Sequence, residues 1–103
     1  MQGRGAGLVA SLQKPYSLGM NGKVTIHPHA RERMGERGAV EEEVVATVAG
    51  GERFSAKFGR TGFRRNFPFD GQWHGRTYAT KQVEAYAVRE NGWLVITVLV
   101  KYF

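Results

Sequence analysis

The dipeptide Asn91-Gly92 lies between two strand-like runs rich in apolar and β-branched residues. Asparagine and glycine accept the positive φ angles of a type I′ turn, whose twist suits paired strands. The C-terminal quarter of the chain is therefore expected to be a β-hairpin with a two-residue loop. Glu90 then pairs with Trp93, and counting outward sets Val88 against Val95, Ala87 against Ile96, Ala85 against Val98 and Val83 against Val100. Side chains alternate between faces. One face becomes Val83, Ala85, Ala87, Leu94, Ile96, Val98 and Val100, wholly apolar and bound to cover the helices. The other carries Gln82, Glu84, Tyr86, Val88, Val95, Thr97, Leu99 and Lys101. That face is mixed and suits solvent or a ligand. A one-residue slip would exchange the faces, and the apolar set argues against it.

The first half reads as helical. Residues 23–27 (KVTIH) form a short strand candidate. Pro28 suits the start of a helix, residues 29–37 continue it, and Gly38 stops it. Ala30, Arg33, Met34 and Arg37 share one face by their spacing. The two arginines either snorkel past a packed stripe or sit at a functional rim. His29 is expected to cap or pack at the start of this helix. A second helix spans residues 40–49, with Val40, Val44, Val45 and Val48 as its stripe. Glu41, Glu42 and Glu43 complement the macrodipole in its first turn, so that acid run needs no ligand.

The remainder reads as sheet. Phe54, Ala56 and Phe58 alternate with polar residues as in a half-buried strand, and residues 59–62 turn. Phe63, Phe67 and Phe69 share a face that Arg65 interrupts, with Arg64 and Asn66 opposite. Pro68 marks an edge or a strand end. Residues 70–75 (DGQWHG) read as a loop or wide turn. The expected architecture is α+β: two N-terminal helices packed on one face of a mainly antiparallel four- to five-stranded sheet. Residues 1–22, glycine-rich and aperiodic, are expected to form a flexible arm, and residues 23–103 a single domain.

Charge adds a functional constraint. The chain carries +6 with no cysteine, which excludes disulfides, thiolate metal sites and thiol chemistry. Residues 54–79 hold five basic groups against Asp70 alone, hence +4 of that excess. Such a patch attracts polyanions, although a basic surface also serves solubility. Residues 7–12 are too short for a secretory core and residues 93–100 too short to span a bilayer, so a cytoplasmic protein is expected.

If the polyanion is RNA, cutting it without a metal needs a base, cations and an acid close together. Arg64, Arg65, Arg76 and Lys101 can hold phosphate, and Lys57 and Arg60 extend the basic segment. Glu84, His74 and Tyr86 can move protons, and Phe63, Trp73 and Tyr78 can stack on bases. Each has a structural alternative: His74 as a loop residue, Tyr86 as a sheet aromatic, Lys101 as a guard on a strand edge. His27-Pro28-His29 lacks a nearby carboxylate or cysteine and makes a poor metal site, so no metal and no cofactor are expected.

His29-Ala30, Arg33-Met34, Arg37-Gly38 and then Val40-Glu41-Glu42-Glu43-Val44 resemble the HAxxRMxxRG opening of a widespread bacterial family of unknown function. Lys81-Gln82-Val83, Ala87-Val88-Arg89-Glu90, Val95-Ile96-Thr97-Val98 and Lys101-Tyr102 are similar to its closing hairpin. That family stands near the RelE/ParE toxin fold, with BrnT-type toxins as neighbours. The resemblance covers residues 23–103 and implies a RelE/BrnT-like fold. It also implies a toxin acting on RNA, such as ribosome-associated mRNA, and neutralised by a separate acidic antitoxin. Residues 63–78, with Trp73-His74-Gly75, match nothing in it, and some relatives of this superfamily inhibit gyrase instead of cutting RNA. A non-catalytic module that binds nucleic acid or protein is the alternative.

Overall fold

The computed structural model describes residues 16–17 and 23–103. The expected arm lies outside the described residues except for Tyr16–Ser17, a two-residue strand here called β1. β2 (Lys23–Ile26) leads through His27 into α1 (Pro28–Arg37), and α2 (Glu41–Gly50) follows. Then come β3 (Glu52–Ser55), a 3-10 turn at Lys57–Gly59, β4 (Thr61–Trp73), β5 (Arg76–Arg89) and β6 (Gly92–Tyr102). The sheet order is β1-β2-β6-β5-β4-β3. β2 runs parallel to β6 and every other neighbouring pair is antiparallel. The α+β class and the mainly antiparallel sheet match expectation. The sheet exceeds it by one strand, because β1 adds to five longer ones. No described helix is long and apolar enough to cross a membrane.

The helix ends follow from local chemistry. Pro28 has no N–H to lose and takes the first helical position, so the cap is the residue before it. His27, not His29, fills that role: its Nδ1 accepts from the His29 N–H at 3.0 Å. The Gly38 N–H closes α1 on the Met34 carbonyl. α2 has no polar cap, and the Glu43 carboxylate instead reaches back to the Val40 N–H at 3.1 Å. Val40, expected in the buried stripe, is half exposed because it precedes the first helical turn. Thr47 is buried in its stead and returns its hydroxyl to the Glu43 carbonyl at 2.7 Å.

Both helices cover one face of the sheet. Ala30, Met34, Val44 and Val48 pack there with Val83, Ala85, Ala87, Val98 and Phe63. The expected pairing of β5 with β6 holds from Lys81–Tyr102 to Tyr86–Thr97. Nearer the turn it is wrong by one. The loop has three residues, Glu90 to Gly92, so Arg89 pairs with Trp93, Val88 with Leu94 and Ala87 with Val95. A bulge between Tyr86 and Ala87 leaves Ile96 as the extra residue and restores the register beyond it. Trp93 and Val95 therefore enter the core, where Leu94 and Ile96 were expected. The reason lies in what must be buried. Trp93 meets Phe63 edge to face at 5.1 Å, and parallel β2 sets Val24 beside Trp93 and Ile26 beside Val95, all in the core. Gly92 fits this junction: its φ is +100°, and a Cβ there would collide with the Lys23 backbone.

Two stretches differ from expectation in kind. Residues 70–75 are neither a loop nor a wide turn, because the turn is confined to two of them. β4 continues to Trp73, and His74 (φ +51°) with Gly75 (φ +83°) forms the turn. A bulge between Pro68 and Gly71 bends this hairpin where β4 has outrun β3, so Pro68 does lie on an edge. The alternation through Phe58 also fails. β3 ends at Ser55, and Phe58 stands in the 3-10 turn with φ +61° and 84 % exposure.

Candidate functional site

Strand alternation sends Glu52 and Phe54 of β3, Gly62 and Arg64 of β4, Glu84 and Tyr86 of β5, and Thr97 and Lys101 of β6 to the face away from the helices. Three of the expected catalytic residues meet there. Glu84 is 2 % exposed, yet it lies on the face without helices. Its own partners cover it. Tyr86 Oη donates to Oε1 at 2.8 Å, Arg64 Nε donates to Oε2 at 3.0 Å, and Lys101 Nζ stands 3.6 Å from Oε2. Burial alone would push this carboxyl up. The hydrogen bonds from Tyr86 and Arg64, with the charges of Lys101 and Arg64, outweigh it and hold the group below the usual carboxylate range. Burial and the bond to Glu84 push the Tyr86 phenol up. The hydrogen bond to Glu84 leads the causes that raise Arg64.

A pocket of about 420 Å³ adjoins this cluster, lined by Phe54, Ala56, Lys57, Phe58, Arg60, Tyr86 and Thr97. Gly62 builds one wall by having no side chain: the Phe54 ring lies where a Cβ would be. The ring then meets Tyr86 edge to face at 6.0 Å and carries the Arg64 guanidinium 4.5 Å above its centre. Arg64 also reaches Glu52 at 3.3 Å. Two of its five N–H groups are thus engaged and three are left for a ligand. Among the described residues, Lys57 and Arg60 pair with no carboxylate.

The remaining expected site residues lie elsewhere. His74 and Trp73 occupy the far tip of the β4–β5 hairpin, roughly 33 Å along β5 from Tyr86 at the rise of an extended strand. There Trp73 stacks between His74 at 4.4 Å and Tyr102 at 5.0 Å. Tyr78 leans on the same tyrosine, whose hydroxyl donates to the Arg37 carbonyl. Arg76 pairs with Trp73 at that tip. Arg65 faces the helices and donates to the Ala46 carbonyl at 3.1 Å. Phe63 is buried in the core and cannot stack on a base. Lys81, buried beneath α1 and α2, donates to the Gly38 carbonyl at 2.8 Å and to Glu43. Arg37 turns inward to the Val98 carbonyl at 2.7 Å, and Arg33 pairs with Glu36, so neither forms a site rim.

Sequence reasoning missed Phe54 and Phe58 as pocket walls. The one signal in the sequence was an aromatic flanked by Lys57 and Arg60; that Gly62 lies opposite Phe54 emerges only from the strand pairing. No group of three or more metal-ligating side chains occurs among the described residues. Fold and site together define an α+β protein whose open sheet face carries a buried carboxylate, three aromatics and four cations beside one pocket. Compared with protein-family models, curated proteins and solved structures, the chain matches none.

Proposed function

We propose that this chain is a cytoplasmic, RNA-directed protein that binds a single strand across the open face of its sheet. The observation that carries this reading is the use made of Glu84. A carboxylate with both oxygens occupied and almost no exposed surface cannot meet a substrate, but it fixes Arg64, Lys101 and Tyr86 in one array. Lys57 and Arg60 continue the positive charge along the pocket rim. Aligned cations beside aromatic rings suit a single strand, which offers phosphates and unstacked bases together.

The second reading is a metal-independent endoribonuclease of the RelE/BrnT toxin kind, covered in the cell by an acidic antitoxin. Tyr86 favours it, since burial and Glu84 keep its phenol protonated, and turning the hydroxyl away from Glu84 would offer that proton to a leaving oxygen. On this reading Arg64 and Lys101 stabilise the phosphorane and Glu84 positions all three. Binding ranks first because Glu84 is buried, the exposed Glu52 is tied to Arg64 and stands on β3, a strand further from Tyr86 and Lys101, and His74 is at the other end of β5. One experiment sorts the two: incubate the purified protein with total RNA at low salt, with and without chelator. Retarded, intact RNA is expected. Discrete fragments that persist in chelator promote the nuclease, and RNA neither retarded nor cut removes both.

A further inference from the structure

We propose that the pocket beside Tyr86 receives one nucleobase of the bound strand, with Phe58 as its stacking platform. The inference rests on the RNA-binding reading and names what the site grips. Phe58 is the most exposed large apolar residue described, and it projects from the 3-10 turn in a left-handed backbone conformation. Neither burial nor backbone preference explains a phenylalanine there, since φ +61° is disfavoured for a bulky side chain and suits glycine or asparagine. The ring does have a use at the mouth of a pocket. Phe54 and Ala56 supply apolar wall, while Tyr86 and Thr97 bring oxygens to the inner side. The Tyr86 hydroxyl spends its proton on Glu84, which leaves its lone pairs to accept from an amino or imino group.

Charge selects a base over an uncharged apolar ligand. Lys57 and Arg60 flank Phe58, and the Arg60 guanidinium lies 5.6 Å from the Phe58 ring centre. A base between Phe58 and the inner wall would set its two flanking phosphates beside these cations. At about 420 Å³ the pocket falls near the lower end of the roughly 300–1,000 Å³ typical of small-molecule sites. That admits one base with its ribose and excludes a duplex.

The test uses the full chain and three octaribonucleotides: one unmodified, one with a central 2-aminopurine and one with a central abasic site. The unmodified strand is expected to bind roughly ten- to a hundredfold more tightly than the abasic one, the range of base–aromatic stacking. Emission from 2-aminopurine should change on binding. Phe58→Ala should erase both effects without lowering the melting temperature, and Phe58→Tyr should retain them. Equal binding of unmodified and abasic strands overturns the pocket assignment while leaving RNA binding intact. No binding of any strand at low salt overturns both. Undiminished base preference in Phe58→Ala overturns the platform.

Discussion

At the residue scale the molecule turns on Glu84. Its carboxylate accepts from Tyr86 and Arg64 and faces Lys101, so an uncharged isostere loses attraction on two sides. Glu84→Gln is expected to lower stability by about 1–3 kcal/mol, the range for leaving buried partners badly paired. A melting curve would show this as a drop of several degrees. The pH dependence has a definite sign. The folded pKa of Glu84 lies below its ordinary value of 4.5, so its contribution is fully present above that pH and is lost as pH falls through the folded value. Tyr86 works in the opposite sense: its folded pKa lies above 10.0, so its contribution holds below that pH and fades as pH rises through the folded value. Urea titrations between about pH 3 and 7 should therefore show less acid loss in Glu84→Gln than in the parent. An unchanged acid limb would mean that the carboxylate is not held as described. The sequence pattern puts Lys101 and Glu84 on one face of the C-terminal hairpin, and their approach survives because the bulge at Ile96 offsets the longer loop. Arg64 was not legible as the third partner. Its place opposite Glu84 depends on pairing β4 with β5, and that pairing depends on the His74-Gly75 turn, where a histidine at positive φ is a weak signal.

At the scale of elements, two errors of register cancel. The loop is one residue longer than Asn91-Gly92 implies, and the bulge at Ile96 takes up the difference. Val83 opposite Val100 and Ala85 opposite Val98 therefore agree with the sequence pattern, whereas Leu94, Val95 and Ile96 do not take the faces that a two-residue loop gives them. Alternation alone had no means to decide this. Residues 93–96 are all large and apolar, so either phase buries hydrophobic surface. What decides is tertiary: the Trp93 ring against Phe63 and the parallel strand β2 alongside. Substitutions expose the phase. Val95→Ala removes methyl groups from a side chain with no exposed surface and should destabilise by about 1.5–3 kcal/mol. Ile96→Ala removes more carbon but from a partly exposed position, and should cost under about 1 kcal/mol. Urea midpoints with unchanged m-values would rank the two, and the reverse order would restore the simple two-residue hairpin.

At the scale of the whole molecule, the sheet divides the basic excess between two faces. The sequence located the +4 in residues 54–79 but had no way to assign faces, because a strand of alternating side chains sends neighbouring arginines in opposite directions. Arg64 and Arg65 are the case in point: one lies over Phe54 on the open face, the other caps a carbonyl of α2 on the helical face. Arg76 belongs to the distant hairpin tip with Trp73. The open face therefore offers four cations to a strand, Lys57, Arg60, Arg64 and Lys101, of which the last two already share Glu84. Each phosphate neutralised on single-stranded RNA contributes about −0.7 to the slope of log affinity against log salt, so four contacts give a slope of roughly −3. Lys57→Ala and Arg60→Ala should each flatten it by about 0.7, since no described carboxylate screens either group. Arg65→Ala should leave the slope alone and register instead as lost stability, because its partner is a helix carbonyl. Fluorescence anisotropy on a labelled octaribonucleotide, titrated at several salt concentrations, separates the faces. If Arg65→Ala flattens the slope as much as Arg60→Ala does, the strand crosses the helical side, and the open face with its pocket is not where RNA binds.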